Sequence, residues 1–194
     1  MITAQYLITR LQTDFDCRLT TEQILNILNA LEKRLAFDIV RKTQTRIYDV
    51  EPDKRIYEID VDQNRVVRVF VNDKEIQKRH SYISDGYICE HGCIEFSQPF
   101  ESGKIYIECL VIPEDIDEVD MGNRPLFLDD GYDEIYLYHI LSREALMSGN
   151  IEMLNNYSLL YAQALNSLKS EIANSPKGEA PKEENSATSY KNVW

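Results

Sequence analysis

Cys89, His91 and Cys93 fall within the ten residues YICEHGCIEF, 87–96, and bring two of the four cysteines and one of the three histidines within five residues. They alternate. On an unbroken strand all three would share one face, and Cys109 from a neighbouring strand could complete a tetrahedral zinc site of three thiolates and an imidazole. The competing reading takes His91-Gly92 as a two-residue hairpin turn, since glycine beside a polar residue between two β-branched runs is a direct turn signal. Such a turn breaks the alternation and sends the cysteines to different faces. The residues favour the turn, and buried free cysteine commonly serves as a small hydrophobe. Cys89, His91, Cys93 and Cys109 therefore stand only as a weak zinc candidate.

Other chemistry is sparse. Nucleophilic catalysis requires a base that a third group orients, and none of the three histidines, His80, His91 and His139, lies beside a nucleophile motif. Seven glycines form no dinucleotide or phosphate-binding loop, and Asp129-Asp130-Gly131 lacks the rest of a calcium loop. No cofactor is expected. The sequence reads as a non-enzyme.

Charge bounds the partners. With 33 acidic and 21 basic residues the 194-residue chain carries a net charge of -12, so most of its surface repels phosphate backbones. The start, MITAQYLITRLQTDF, has no basic flank leading into an apolar run, and nowhere are there enough consecutive apolar residues for a membrane span. A soluble protein made in a cytoplasm is expected, with its four cysteines reduced.

The elements that would position these residues are read from periodicity. Leu7, Ile8 and Leu11 predict a helix from Ala4 to about 13. Thr20-Thr-Glu-Gln23 fits a capping box, and Ile24, Leu28, Leu31 and Leu35 extend a helix from about 21 to about 41. The period then changes to two. RIYDV, RIYEIDV, VVRVFV, KEIQK, HSYIS, YICE, CIEF and KIYIECLVI read as strands, with a tight turn at Asn72-Asp73-Lys74. Tyr57, Ile59, Val69, Phe70, Tyr106 and Ile107 put apolar residues on both faces of these strands, which calls for a covering neighbour or the helical frame. An acidic connector follows Pro113, and Asp129 or Asp130 can cap the next helix. Tyr132, Ile135, Tyr136, Ile140, Leu141 and Ala145 give that helix a broad apolar face. Ser148-Gly149-Asn150 ends it, and Asn150 can cap a last helix carrying Leu154, Tyr157, Tyr161, Leu165 and Leu168. The short connection forces an antiparallel hairpin.

The expected class is α+β. Residues 1–44 give the N-terminal helices of a helical frame and 45–113 an inserted small antiparallel β module. An acidic connector spans 114–131, a helical hairpin over 132–173 completes the frame, and 174–194 form an extended tail.

This order resembles the head-to-tail connector, or adaptor, proteins of tailed bacteriophages. KRIYEIDVDQNRVVRVFVNDKEI, SYISDGYICEHGCIEF and SGKIYIECLVIPED are similar to the family's β insert. PLFLDDGYDEIYLYHILSREALMSGNIEMLNNYSLLYAQALNSL is similar to its closing helical pair, with Tyr157 and Tyr161 as the recurring Tyr-x-x-x-Tyr. The resemblance covers residues 1–173. It implies a virion structural protein at the portal vertex, assembled in the host cytoplasm. Copies would form a homo-oligomeric ring of about twelve that docks on the portal, extends the DNA channel and receives tail or next-ring proteins. DNA would be passing cargo without specific binding, and no membrane is involved. The alternative is a β-sandwich ligand- or glycan-binding module of a tail or surface assembly, reading its ligand through loops at residues 80–100. In the polar tail, Tyr190, Val193 and Trp194 form an apolar cluster suited to anchoring on a partner.

Overall fold

The structure, a computed structural model, describes residues 1–79 and 85–174. The HSYIS segment at 80–84, with His80, and the tail cluster Tyr190, Val193 and Trp194 lie outside the described residues.

Helix α1, Ala4–Asp14, turns Leu7, Ile8 and Leu11 inward, and the Thr3 hydroxyl accepts from the Tyr6 amide at 3.2 Å to close its first turn. The capping box at the start of α2, Thr21–Arg34, is present in full. The Gln23 amide donates to the Thr20 hydroxyl at 3.2 Å, and the Thr20 amide donates back to Gln23 Oε1 at 2.9 Å. From Leu35 to Val40 the same rod widens into a π turn, and Arg41, at φ 49°, ends it in the left-handed region.

The period-two segments pair as expected, in two sheets. Strands β1 (Thr43–Asp49), β7 (Lys104–Leu110), β3 (Val66–Val71) and β4 (Lys74–Ile76) lie in the order β1-β7-β3-β4. Strands β2 (Ile56–Glu58), β6 (Cys93–Phe96) and β5 (Tyr87–Glu90) form the second sheet. All pairing within the two sheets is antiparallel. Tyr57, Ile59, Val69, Ile94, Phe96, Ile105 and Ile107 meet in one core, so the sheets cover each other as a small sandwich. The inner-face residues Val69 and Ile107 are sealed by the second sheet and not by the helical frame, while Phe70 and Tyr106 stay half-exposed on the outer face beside exposed Ile47.

Helices α3 (Asp133–Ser148) and α4 (Ile151–Asn174) form the hairpin. Gly149 at φ 72° supplies the left-handed cap, and Asn150 Oδ1 accepts from the Met153 amide at 3.1 Å. Asp129 and Asp130 do not cap α3. Tyr132 holds that position without a side-chain bond, while Asp130 pairs with the Met1 ammonium at 2.6 Å and Asp129 lies 3.7 Å from Lys42 Nζ. α3 is buried on every side, from Ile135 and Tyr136 through His139 and Ser142 to Ala145. The other helices pack around it in a core separate from the sandwich.

Candidate assembly surfaces

Each motif singled out above has a definite place. Glu90 pairs with Cys93 across a two-residue turn in which His91 has φ 51° and Gly92 φ 76°, as a twisted hairpin requires. Cys89 is opposite Ile94 and turns into the sandwich core with Cys109, whereas Cys93 lies one residue nearer the turn, on the other face, and is half-exposed. Burial raises the Cys109 thiol to about 11 and also raises that of Cys89, which keeps both in the neutral form that packs as an apolar group. Among the described residues no group of three or more His, Cys, Asp or Glu is placed to hold a metal ion. His139 is nowhere near these thiols. It packs against the Tyr161 ring at 4.9 Å between α3 and α4, and burial, with Arg143 and Arg34 adding, lowers its imidazole to about 4.

The sandwich has two shallow surface grooves. One is lined by Asp62, Gln63, Asn64, Glu90 and His91, the other by Tyr48, Glu51, Lys54, Tyr57 and Cys93. Tyr57 is itself buried, its hydroxyl donating to the carbonyls of Glu51 and Lys54 at 3.3 Å, so its ring offers no open stacking platform. On the outer face of the larger sheet, Ile47 is opposite Tyr106 and Tyr106 opposite Phe70. They form a short apolar stripe, with the Arg68 guanidinium 5.5 Å from the Phe70 ring centre.

The connector is held by α2. Glu32 is only 3 % exposed and forms no ion pair among the described residues, with Arg124 and Lys42 acting on it only from a distance. Its carboxylate accepts from the Phe127 amide at 2.9 and 3.1 Å and from the Tyr136 hydroxyl, which in turn accepts from the Leu128 amide at 3.0 Å. Desolvation raises the Glu32 carboxyl above its ordinary range, against these hydrogen bonds, and raises Tyr136 as well. Near the connector's start, Asn29, about one turn before Glu32, exchanges two bonds with the Ile116 backbone at 2.8 and 3.0 Å, and Lys33, next to Glu32, reaches Asp115 at 2.6 Å. Sequence reasoning missed this node. The signal was available, because Glu32 sits seven residues after Leu25 on the same apolar stripe as Leu28 and Leu35.

A long open face lies on α4. Of its 24 residues only Leu168 is buried, while Met153, Leu159 and Leu160 are among its exposed apolar side chains. Its inner edge stacks Tyr157 on Tyr138 at 6.5 Å. Among the described residues no helix is long and apolar enough to cross a membrane.

Among the described residues the fold is an α+β subunit, four helices carrying a small β sandwich, with open helix and sheet faces. A family model described as SU10 adaptor protein matches residues 2–181, and the chain belongs to that family. The family is one of phage structural adaptors and not an enzyme class, which makes the chain a virion component associated with other virion proteins. No curated protein matches it significantly.

Proposed function

We propose that the chain is the subunit of a ring at the portal vertex that joins phage head to tail. About twelve copies dock on the portal, extend the DNA channel and present a platform to tail or next-ring proteins. The observation that carries the reading is the adaptor-family match over nearly the whole chain. Two physical features support it. A net charge of -12 lets DNA pass without adhering, and a helical frame with a separate sandwich offers distinct surfaces for side neighbours and axial partners. Tyr190, Val193 and Trp194 serve in this reading as an anchor on the portal or on an adjacent subunit, and assembly takes place in the host cytoplasm.

Mass measurement of the purified chain, alone and mixed with the portal protein, tests the reading. A ring or a portal-bound complex is expected. A chain that stays monomeric in both conditions would rule it out. Removal of residues 186–194 is expected to leave the subunit folded and weaken its attachment, and full affinity in the truncated chain would remove the anchor from the proposal.

A further inference from the structure

Two helix surfaces on opposite sides of the subunit share an unusual property. From Met153 to Leu168, sixteen residues of α4 carry no formal charge, in a chain whose composition is 28% charged. At about 1.5 Å per residue this is a neutral band about 24 Å long. Its outward side presents Asn155, Leu159, Gln163 and Asn166, all exposed. On α1 the residues at helical spacing that point away from the core are Gln5, Tyr6, Thr9, Gln12 and Thr13, again exposed and again uncharged. The Thr9 and Thr13 hydroxyls donate to the carbonyls of Gln5 and Thr9, both at 2.9 Å, so their donors are already used within the helix. The two charges of α1 are turned to its flank, where Arg10 pairs with Asp14 at 3.3 Å and with Asp133.

The central helix α3 shows how these faces are disposed. Asp133 receives Arg10 of α1, and Glu144 accepts from the Arg18 amide, just beyond α1, at 2.6 Å. At about 100° per residue these two acids lie on one side of α3. Tyr138 and His139, which meet Tyr157 and Tyr161 of α4, lie on the opposite side. The neutral face of α1 and the neutral face of α4 therefore look away from each other, with α3 between them.

We infer that the α4 face of one copy docks on the α1 face of the next, making the head-to-tail contact through which copies of this chain assemble side by side. The inference rests on the ring reading and specifies its interface. Two copies of a chain at -12 repel overall, and these two faces bring no unpaired charge to the contact, because Arg10 beside Tyr6 and Asp14 beside Thr13 form an ion pair with each other. A single surface pairing with itself closes a dimer, whereas two different surfaces propagate from copy to copy and form a ring where the rotation between copies closes. Exposed Leu159, Leu160 and Tyr6 then become buried, and the amides of Asn155, Asn166 and Gln12 supply hydrogen bonds that fix the register.

The test uses the full chain with Leu159→Glu on α4, Thr9→Glu on α1, and Gln98→Glu in the exposed loop after β6 as a control of equal charge. Sedimentation should show Leu159→Glu and Thr9→Glu each weakening self-association by about a hundredfold or more, as a buried unpaired charge does, with melting temperatures and the control unchanged. Mixing the two weakened chains should restore a dimer and nothing larger, because each keeps the face that the other has lost. If Leu159→Glu assembles like the unaltered chain, the interface is wrong while the ring reading stands. If Thr9→Glu assembles and Leu159→Glu does not, α4 pairs with something other than α1. An unaltered chain that is monomeric at every concentration counts against self-assembly itself, and so against both.

Discussion

Glu32 in the helical frame and Glu108 in the sandwich are both buried carboxylates, satisfied in different ways. Glu108 lies opposite Arg68 on the adjacent strand, and that guanidinium donates to it from two nitrogens at 2.8 Å. Its partner is supplied by strand register. Glu32 has no such cation and is held by neutral donors from Phe127 and Tyr136, 95 and 104 residues away. The sandwich is thus closed by neighbours in a sheet, and the frame by bonds between distant segments. The comparison also extends to the cores. The buried charges of the sandwich, Glu108 and Arg79, are ion-paired with Arg68 and Glu95, whereas the frame buries Glu32, His139 and Ser142 without an ion pair among the described residues. The buried groups whose protonation is shifted against their charged forms, Glu32 and His139, both lie in the frame, so a change of pH should be felt there first.

The strongest way to break the comparison is to destroy one core and watch the other. Ile94 is fully buried in the sandwich, and Ile94→Asp leaves an unpaired charge there, at a cost of about 4 kcal/mol or more. The β signal is expected to collapse while the helical circular dichroism persists. Simultaneous loss of both would show that the two cores fold as one unit.

A smaller but more selective effect is expected on acidification. His139 is held neutral by burial, with its imidazole lowered from 6.5 to about 4, so its contribution is complete above the ordinary histidine value and is lost as pH falls towards about 4. That loss is on the order of a few kcal/mol. It should loosen α4 from α3 first, and His139→Leu should abolish the acid sensitivity. Helical melting that is flat with pH in the unaltered chain would contradict the burial.

Glu32 titrates with the opposite sign. Its carboxyl is raised, so the stability linked to its proton is present below the ordinary carboxylate value and is lost as pH rises through the raised one. Glu32→Gln should flatten this slope. Tyr136→Phe should cost roughly 2 kcal/mol, because it deprives the carboxylate and the Leu128 amide of a partner at once. Hydrogen exchange at residues 126–128 would register it, and unaltered protection there would show that the node does not hold the connector.

Much of the fold was legible because its signals are local. Change of period marked where helices give way to strands, and His91-Gly92 and Gly149-Asn150 marked turns through the backbone conformations they permit. What escaped was long-range. Nothing near Asp129 or Asp130 shows that Lys42 and the Met1 ammonium claim them, leaving α3 without a side-chain cap. On α4, Leu165 and Leu168 read alike by spacing, yet Leu168 alone is buried, because spacing identifies a stripe and not how deeply its partner covers it. The assembly faces were hidden for a related reason: they are marked by missing charge, which becomes informative only once α1 and α4 are placed on opposite sides of α3.

The smallest expected effect belongs to the most legible feature. Thr20 and Gln23 satisfy one backbone amide each at the start of α2, and Thr20→Ala removes one of these bonds at a cost of about 1 kcal/mol. The cap lies on the frame side of the comparison, so the helical transition alone should move, with the sandwich melting where it did before. If both transitions shift together, a local bond at one helix end is felt by the strands, and the separation of the two cores fails at its most sensitive point. A shift confined to the helices would mean that the cap specifies where α2 begins while the weight of the frame rests on Glu32 and on the apolar faces around α3. The signals easiest to read in this sequence set boundaries, and the contacts hardest to read carry the energy.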